Sequence, residues 1–107
     1  GNTAKKRISN YVINKQLQVK YIKANKKNIK VGDTIKINTS AKGGYIKKSY
    51  KYRITVKNNG RTKVLKNYTS SSSVKWKATK KGTYTFKVYV KDSNGKKVSK
   101  SVTYVVK

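Results

Sequence analysis

Between Thr83 and Lys91 the chain alternates without a fault. Tyr84, Phe86, Val88 and Val90 take every second position, and Thr85, Lys87, Tyr89 and Lys91 fall between them. Successive side chains of a strand point to opposite faces, so a period of two is a strand with one buried face and cannot be an amphipathic helix. The same period recurs in Tyr50, Tyr52, Ile54 and Val56, set against Lys51, Arg53, Thr55 and Lys57, and again in Ile35 and Ile37. Weaker versions begin at Leu17, Val19 and Tyr21, at Val74 and Trp76, and at Val98, Val102, Tyr104 and Val106. A helical period is found nowhere. Hydrophobic residues form 35% of the chain, and Val, Ile and Tyr dominate them while Met is absent. Branched and aromatic side chains suit a pleated, half-buried surface, so the class is all-β.

Turn chemistry sets the strand boundaries. Asn58-Asn59-Gly60 supplies the positive φ angles of a tight type I′ hairpin. Gly32-Asp33, Lys80-Lys81-Gly82 and Asp92-Ser93-Asn94-Gly95 mark further reversals, and Ser40–Gly44 and Asn67–Ser73 read as loops with a short strand near Lys63–Lys66 before the second. The count is about seven antiparallel strands at short spacing, which predicts an immunoglobulin/fibronectin-III-like β-sandwich. Tyr84, two residues after a turn glycine, stands where such folds place a corner tyrosine. With 107 residues, one domain is expected over 17–107, and residues 1–16 read as a linker or an extra edge strand around Tyr11-Val12-Ile13. A Gly at position 1 suggests a piece of a longer protein, so a missing targeting signal carries no weight.

Charge is the second constraint. Lys and Arg number 29 against two acids, Asp33 and Asp92, for a formal net charge of +27. An AT-rich genome would favour Lys, Asn, Ile and Tyr codons, yet acidic codons tolerate the same bias and are nearly missing. Only Arg7, Arg53 and Arg61 are Arg. Lys is a hydrated point charge, whereas Arg is the planar fork that reads bases or clamps phosphates, so the balance predicts diffuse attraction to a polyanion and not sequence reading. Compactness under such charge should be helped by salt or by a bound polyanion.

Catalytic chemistry finds little to work with. The chain has no His and no Cys, which removes the usual triads and zinc sites and all disulfides. Paired-carboxylate catalysis would need Asp33 and Asp92, and both sit in turns, where Asp is favoured for local hydrogen bonds. Gly43-Gly44 is too short to cradle a phosphate. The expectation is no enzyme and no cofactor. Basic and aromatic interleaving is more informative. In the predicted sandwich the strands Tyr50–Val56 and Thr83–Lys91 are neighbours, and their outward residues Lys51, Arg53, Lys57, Lys87, Tyr89 and Lys91 form the candidate polymer-binding face. The bland alternative is a solvated face that looks basic because the whole chain is. Trp76 and the inward tyrosines read as core.

From Lys36 to Val106 the order of features resembles the triple-tyrosine, or three Y, domain family of bacterial surface and secreted proteins, in its clostridial form. The resemblance is carried by Tyr50-Lys51-Tyr52-Arg53-Ile54, Val74-Lys75-Trp76, Gly82-Thr83-Tyr84-Thr85-Phe86-Lys87-Val88, Val90-Lys91-Asp92-Ser93-Asn94-Gly95 and Tyr104-Val105-Val106. Tyr50, Tyr52 and Tyr84 match the family's tyrosines. The resemblance implies a non-catalytic accessory sandwich of a larger extracellular protein, often in tandem. With the charge, it predicts a cell-wall-associated module that binds an anionic wall polymer such as teichoic acid or polysaccharide, monomeric as an isolated domain. The alternatives are a structural spacer repeat and a nucleic-acid binder. Non-specific binding to nucleic acid in vitro is expected from charge alone.

Overall fold

The computed structural model describes residues 16–44 and 50–107. The Tyr11-Val12-Ile13 patch and nearly all of the expected linker lie outside the described residues. Among the described residues seven strands follow one another: β1 (Gln18–Ala24), β2 (Thr34–Lys42), β3 (Lys51–Asn58), β4 (Arg61–Thr69), β5 (Ser73–Lys77), β6 (Gly82–Lys91) and β7 (Lys97–Val106). They pair antiparallel in two sheets, a three-stranded one in the order β1-β2-β5 and a four-stranded one in the order β4-β3-β6-β7. The two inner faces make a β-sandwich core. Ile22, Ile35 and Ile37 of the smaller sheet meet Tyr52, Ile54, Val56, Tyr84, Phe86, Val88 and Val90 of the larger one, and all of these are buried. A polar side chain joins them on the inner face. Thr39 is buried, and its hydroxyl donates to the Ser72 carbonyl at 2.7 Å, which spares the burial cost of an unmade bond.

The hairpin chemistry acts as expected. Asn58 pairs with Arg61, and Asn59 and Gly60 both have positive φ, at 52° and 78°. The β6–β7 turn is held by Asp92, whose Oδ1 accepts from the backbone N–H groups of Asn94 at 2.9 Å and Lys96 at 3.0 Å. At the other end of the sandwich Lys107 N–H donates to Ile29 O at 2.9 Å, and Val31 N–H donates to Lys107 O at 3.2 Å. This bond pair explains the apolar step at Ile29. The residue is buried beside Val106 as a short parallel bridge.

Three boundaries depart from the sequence reading. Ser40-Ala41-Lys42 is strand and not loop, because Tyr21, Val19 and Gln18 of β1 pair with it. The glycine that follows, Gly43, has a φ of 76°, and a side chain there would run into the Gln16 carbonyl, so the strand stops at that point. β4 extends through Thr69, because Thr69 pairs back to Tyr52, and the serine-rich loop shrinks to residues 70–72. In β1 a bulge at Lys20 breaks the alternation. Ile22 is then buried in place of Tyr21, which is 38% exposed. A one-residue insertion moves every later side chain to the opposite face.

The edges are protected by the usual devices. β1 carries its bulge, and β4 carries two register shifts. In β7, Lys100 pairs with the fully buried Val88, which places a cation on the inward side of an edge strand. Such features discourage edge-to-edge association.

Candidate functional face

The six residues expected on one surface all lie on the outer face of β3 and β6. Antiparallel register sets Lys51 opposite Lys91, Arg53 opposite Tyr89, Thr55 opposite Lys87 and Lys57 opposite Thr85. Residues directly opposite share a face, and the intervening Tyr52, Ile54 and Val56 are buried on the other side. Tyr89 is the centre of the group. The Arg53 guanidinium lies 5.3 Å and the Lys87 ammonium 4.9 Å from its ring centroid. Each such contact is worth about 0.5–1 kcal/mol at an exposed site, enough to favour one arrangement of flexible side chains without immobilising it. Lys51 and Lys57 stand toward opposite ends of the same row, about 20 Å apart along β3 at ~3.3 Å per residue. Thr55, in the middle of the face, is only 4% exposed. It is flanked in register by Val64 and Lys87, so the outer surface is clad by long side chains and is not a bare pleat.

Two members of the face escaped the sequence reading. Tyr68 falls in a segment read as loop, but β4 carries it to the outer surface, where Lys91 and Lys97 approach its ring at 5.4 and 5.7 Å. Its φ of 53° is unusual for a residue other than glycine. It lies within one of the two register shifts of β4, between Thr69, which faces Tyr52, and Lys66, which faces Ile54. Alternation cannot signal a side chain aimed by a bulge. Lys97 was recoverable in principle, since its pairing with Lys91 follows from the β6–β7 hairpin register. The result is two tyrosines, each flanked by two cations, on one face of the larger sheet.

The inner tyrosines do different work. Tyr50 donates its hydroxyl to the Gly43 carbonyl at 2.9 Å and meets the buried Tyr52 edge-on, with ring centroids 6.2 Å apart. Burial, and for Tyr50 secondarily the Asp92 carboxylate, pushes both phenols above the ordinary tyrosine value. Tyr84 donates to the Lys80 carbonyl at 2.9 Å, four residues upstream across the β5–β6 turn, which is the bond a corner tyrosine makes. Residues 41–107, more than half of the chain, match the Y_Y_Y domain family. The chain belongs to that family. No curated protein matches it. The Y_Y_Y domain is a domain type found in larger proteins, which is compatible with an accessory module.

Within this Y_Y_Y domain the matched tyrosines Tyr50 and Tyr84 are clips that tie loops to strands. Removing one hydroxyl isolates that effect. Tyr84→Phe is expected to lower stability by about 1–2 kcal/mol, because the Lys80 carbonyl loses its partner while the ring keeps its packing. Urea unfolding of the two proteins measures it, and an unchanged midpoint would show that water replaces the hydroxyl at no cost.

The two carboxylates cannot act as a pair. Asp33 precedes β2, and its main-chain carbonyl accepts from Ala78 N–H, while Asp92 lies near Gly44 at the far end of that strand. The length of β2 separates them by about 25 Å. Paired-carboxylate chemistry of the glycosidase kind needs a separation under about 10 Å. The Asp33 carboxylate is held below the ordinary value by a hydrogen bond from Lys26 at 2.8 Å, then by the Lys30 N–H. Each acid thus has a local structural task, Asp33 in its loop and Asp92 in the hairpin turn.

Proposed function

We propose that the protein is a non-catalytic accessory module of a larger secreted or surface-attached bacterial protein, and that it binds an anionic cell-wall polymer through the outer face of β3 and β6. The observation that carries this reading is the grouping of Lys51, Arg53, Lys57, Lys87, Lys91 and Lys97 around Tyr68 and Tyr89, on a chain with 29 basic residues and two acids. Cations spaced along a flat sheet match a flexible chain of phosphates or uronates better than a compact ligand, and give fast, salt-sensitive association. The tyrosines add ring faces for sugars. The strand order, β1-β2-β5 over β4-β3-β6-β7, supports the immunoglobulin/fibronectin-III type of sandwich, a type common in extracellular modules.

The test is a salt-titrated pull-down on purified bacterial cell walls, intact and stripped of teichoic acids, with duplex DNA as competitor. Binding should disappear with the teichoic acids and resist DNA. Lys87→Glu combined with Lys91→Glu should weaken it about tenfold or more, since the change reverses charges that act together. Lys23→Glu combined with Lys36→Glu changes the net charge equally on the three-stranded sheet, and should cost about threefold or less. Equal losses would leave diffuse attraction over the whole surface as the better account. Displacement by DNA at low concentration would favour a nucleic-acid partner.

A further inference from the structure

Among the described residues a cleft lies along each long edge of the sandwich. On the β1–β7 side, where the Ala24 N–H donates to the Tyr104 hydroxyl at 2.8 Å and Ile29 bridges Val106, a cleft of about 870 Å³ is bordered by Lys27, Lys30 and Lys107. On the other side the edge strands β4 and β5 belong to different sheets and leave a cleft of about 540 Å³ between them, and this one is lined by Trp76. This lies within the roughly 300–1,000 Å³ of small-molecule sites. Leu65, Trp76 and Tyr84 form an apolar floor. Trp76, the single Trp of the chain, is half-buried and held edge-on by Tyr84 at 4.7 Å and Phe86 at 5.1 Å. Arg61 and Lys63 of β4 and Lys75 and Lys77 of β5 line the same cleft. Lys63 pairs with the buried Val56 and so stands on the inner side of its sheet. A charge there guards an edge strand, but either sign would serve, and no aromatic floor is needed.

We propose that this cleft binds one sugar–phosphate unit of an anionic glycan, with the apolar face of the sugar against Trp76 and the phosphate among Arg61, Lys63, Lys75 and Lys77. The proposal rests on the anionic-polymer reading above and gives that polymer a specific seat beside the diffuse outer face. Arg61 supplies the planar fork suited to phosphate oxygens, and the lysines supply point charges. A single half-exposed aromatic seats one ring. Binders of single-stranded nucleic acid line their grooves with several aromatics for successive bases, so the cleft favours a glycan.

Because Trp76 is the only Trp, its fluorescence reports the cleft directly. Titration with N-acetylglucosamine 1-phosphate should shift the emission saturably, with a dissociation constant on the order of 1 mM, and inorganic phosphate or free N-acetylglucosamine should shift it at least about fivefold less well. Lys63→Glu with Lys75→Glu, checked for folding by circular dichroism, should abolish the response. Lys87→Glu with Lys91→Glu should preserve it while weakening cell-wall binding about tenfold or more. A silent emission at saturating sugar phosphate, an equal response to inorganic phosphate, or a response untouched by the cleft variant would overturn the site even if the chain binds walls. A stronger response to a short oligothymidylate would assign the cleft to nucleic acid instead. Normal cleft titration by a chain that ignores cell walls would sink the wall-module reading and leave the sugar-phosphate site standing.

Discussion

Phe86→Ala is expected to lower stability by about 3–5 kcal/mol, most of what a domain of this size has to lose. Phe86 is fully buried at the centre of the core. Its ring lies between Trp76, 5.1 Å away, and Tyr104, 6.2 Å away, so its removal leaves both aromatics facing a void. In β6 it pairs with Val56 of β3 and Val102 of β7, which leaves the neighbouring strands little room to collapse inward. The cost therefore includes a cavity as well as lost burial. Urea unfolding followed by circular dichroism should show a much earlier midpoint, or no cooperative transition in dilute buffer. Val64→Ala, on the outer face at 43% exposure, is the control and should stay within about 0.5 kcal/mol. Similar effects at the two positions would contradict the placement of the core.

The second large effect concerns charge. Lys51 stands opposite Lys91, Lys91 opposite Lys97, and Lys36 opposite Lys75. Like charges directly across a ladder are destabilising, and a net charge of +27 adds repulsion over longer range. The screening length shrinks from about 30 Å at 0.01 M salt to about 10 Å at 0.1 M. The melting temperature is therefore expected to climb steeply over that range and then level off. A polyanion that binds the folded surface should do more. Polyphosphate at about a hundred times its dissociation constant should stabilise the domain by about 2.7 kcal/mol, a rise on the order of 10–20 °C. Thermal scans in NaCl, and then in polyphosphate at low salt, measure both effects. A melting temperature indifferent to both would mean that the lysines are too widely solvated to repel one another, and would weaken the proposal of a polymer-binding face with them.

Much of this was legible in the chain itself. Strict alternation in Tyr50–Lys57 and Thr83–Lys91 determined two central strands and, with them, which of their residues face outward. Those strands are flanked on both sides by partners, so neither can shift without exposing a buried set. Asn59-Gly60 and Asp92–Gly95 determined two hairpins, because few other residues accept the backbone angles or supply the carboxylate that the turns need. The family too was readable, from the order of its tyrosine-bearing segments. The edges were not. Bulges at Lys20 and along β4 change which face a side chain takes, and no period in the sequence records them. Tyr68 reached the outer face of the larger sheet, and Tyr21 left the core, for that reason. Trp76 read as core because a Trp supplies a large area to bury, and its ring does pack on Tyr84 and Phe86. That it also borders an open cleft depended on which two edge strands of different sheets fail to close over it, a matter of tertiary packing between segments that never pair with each other.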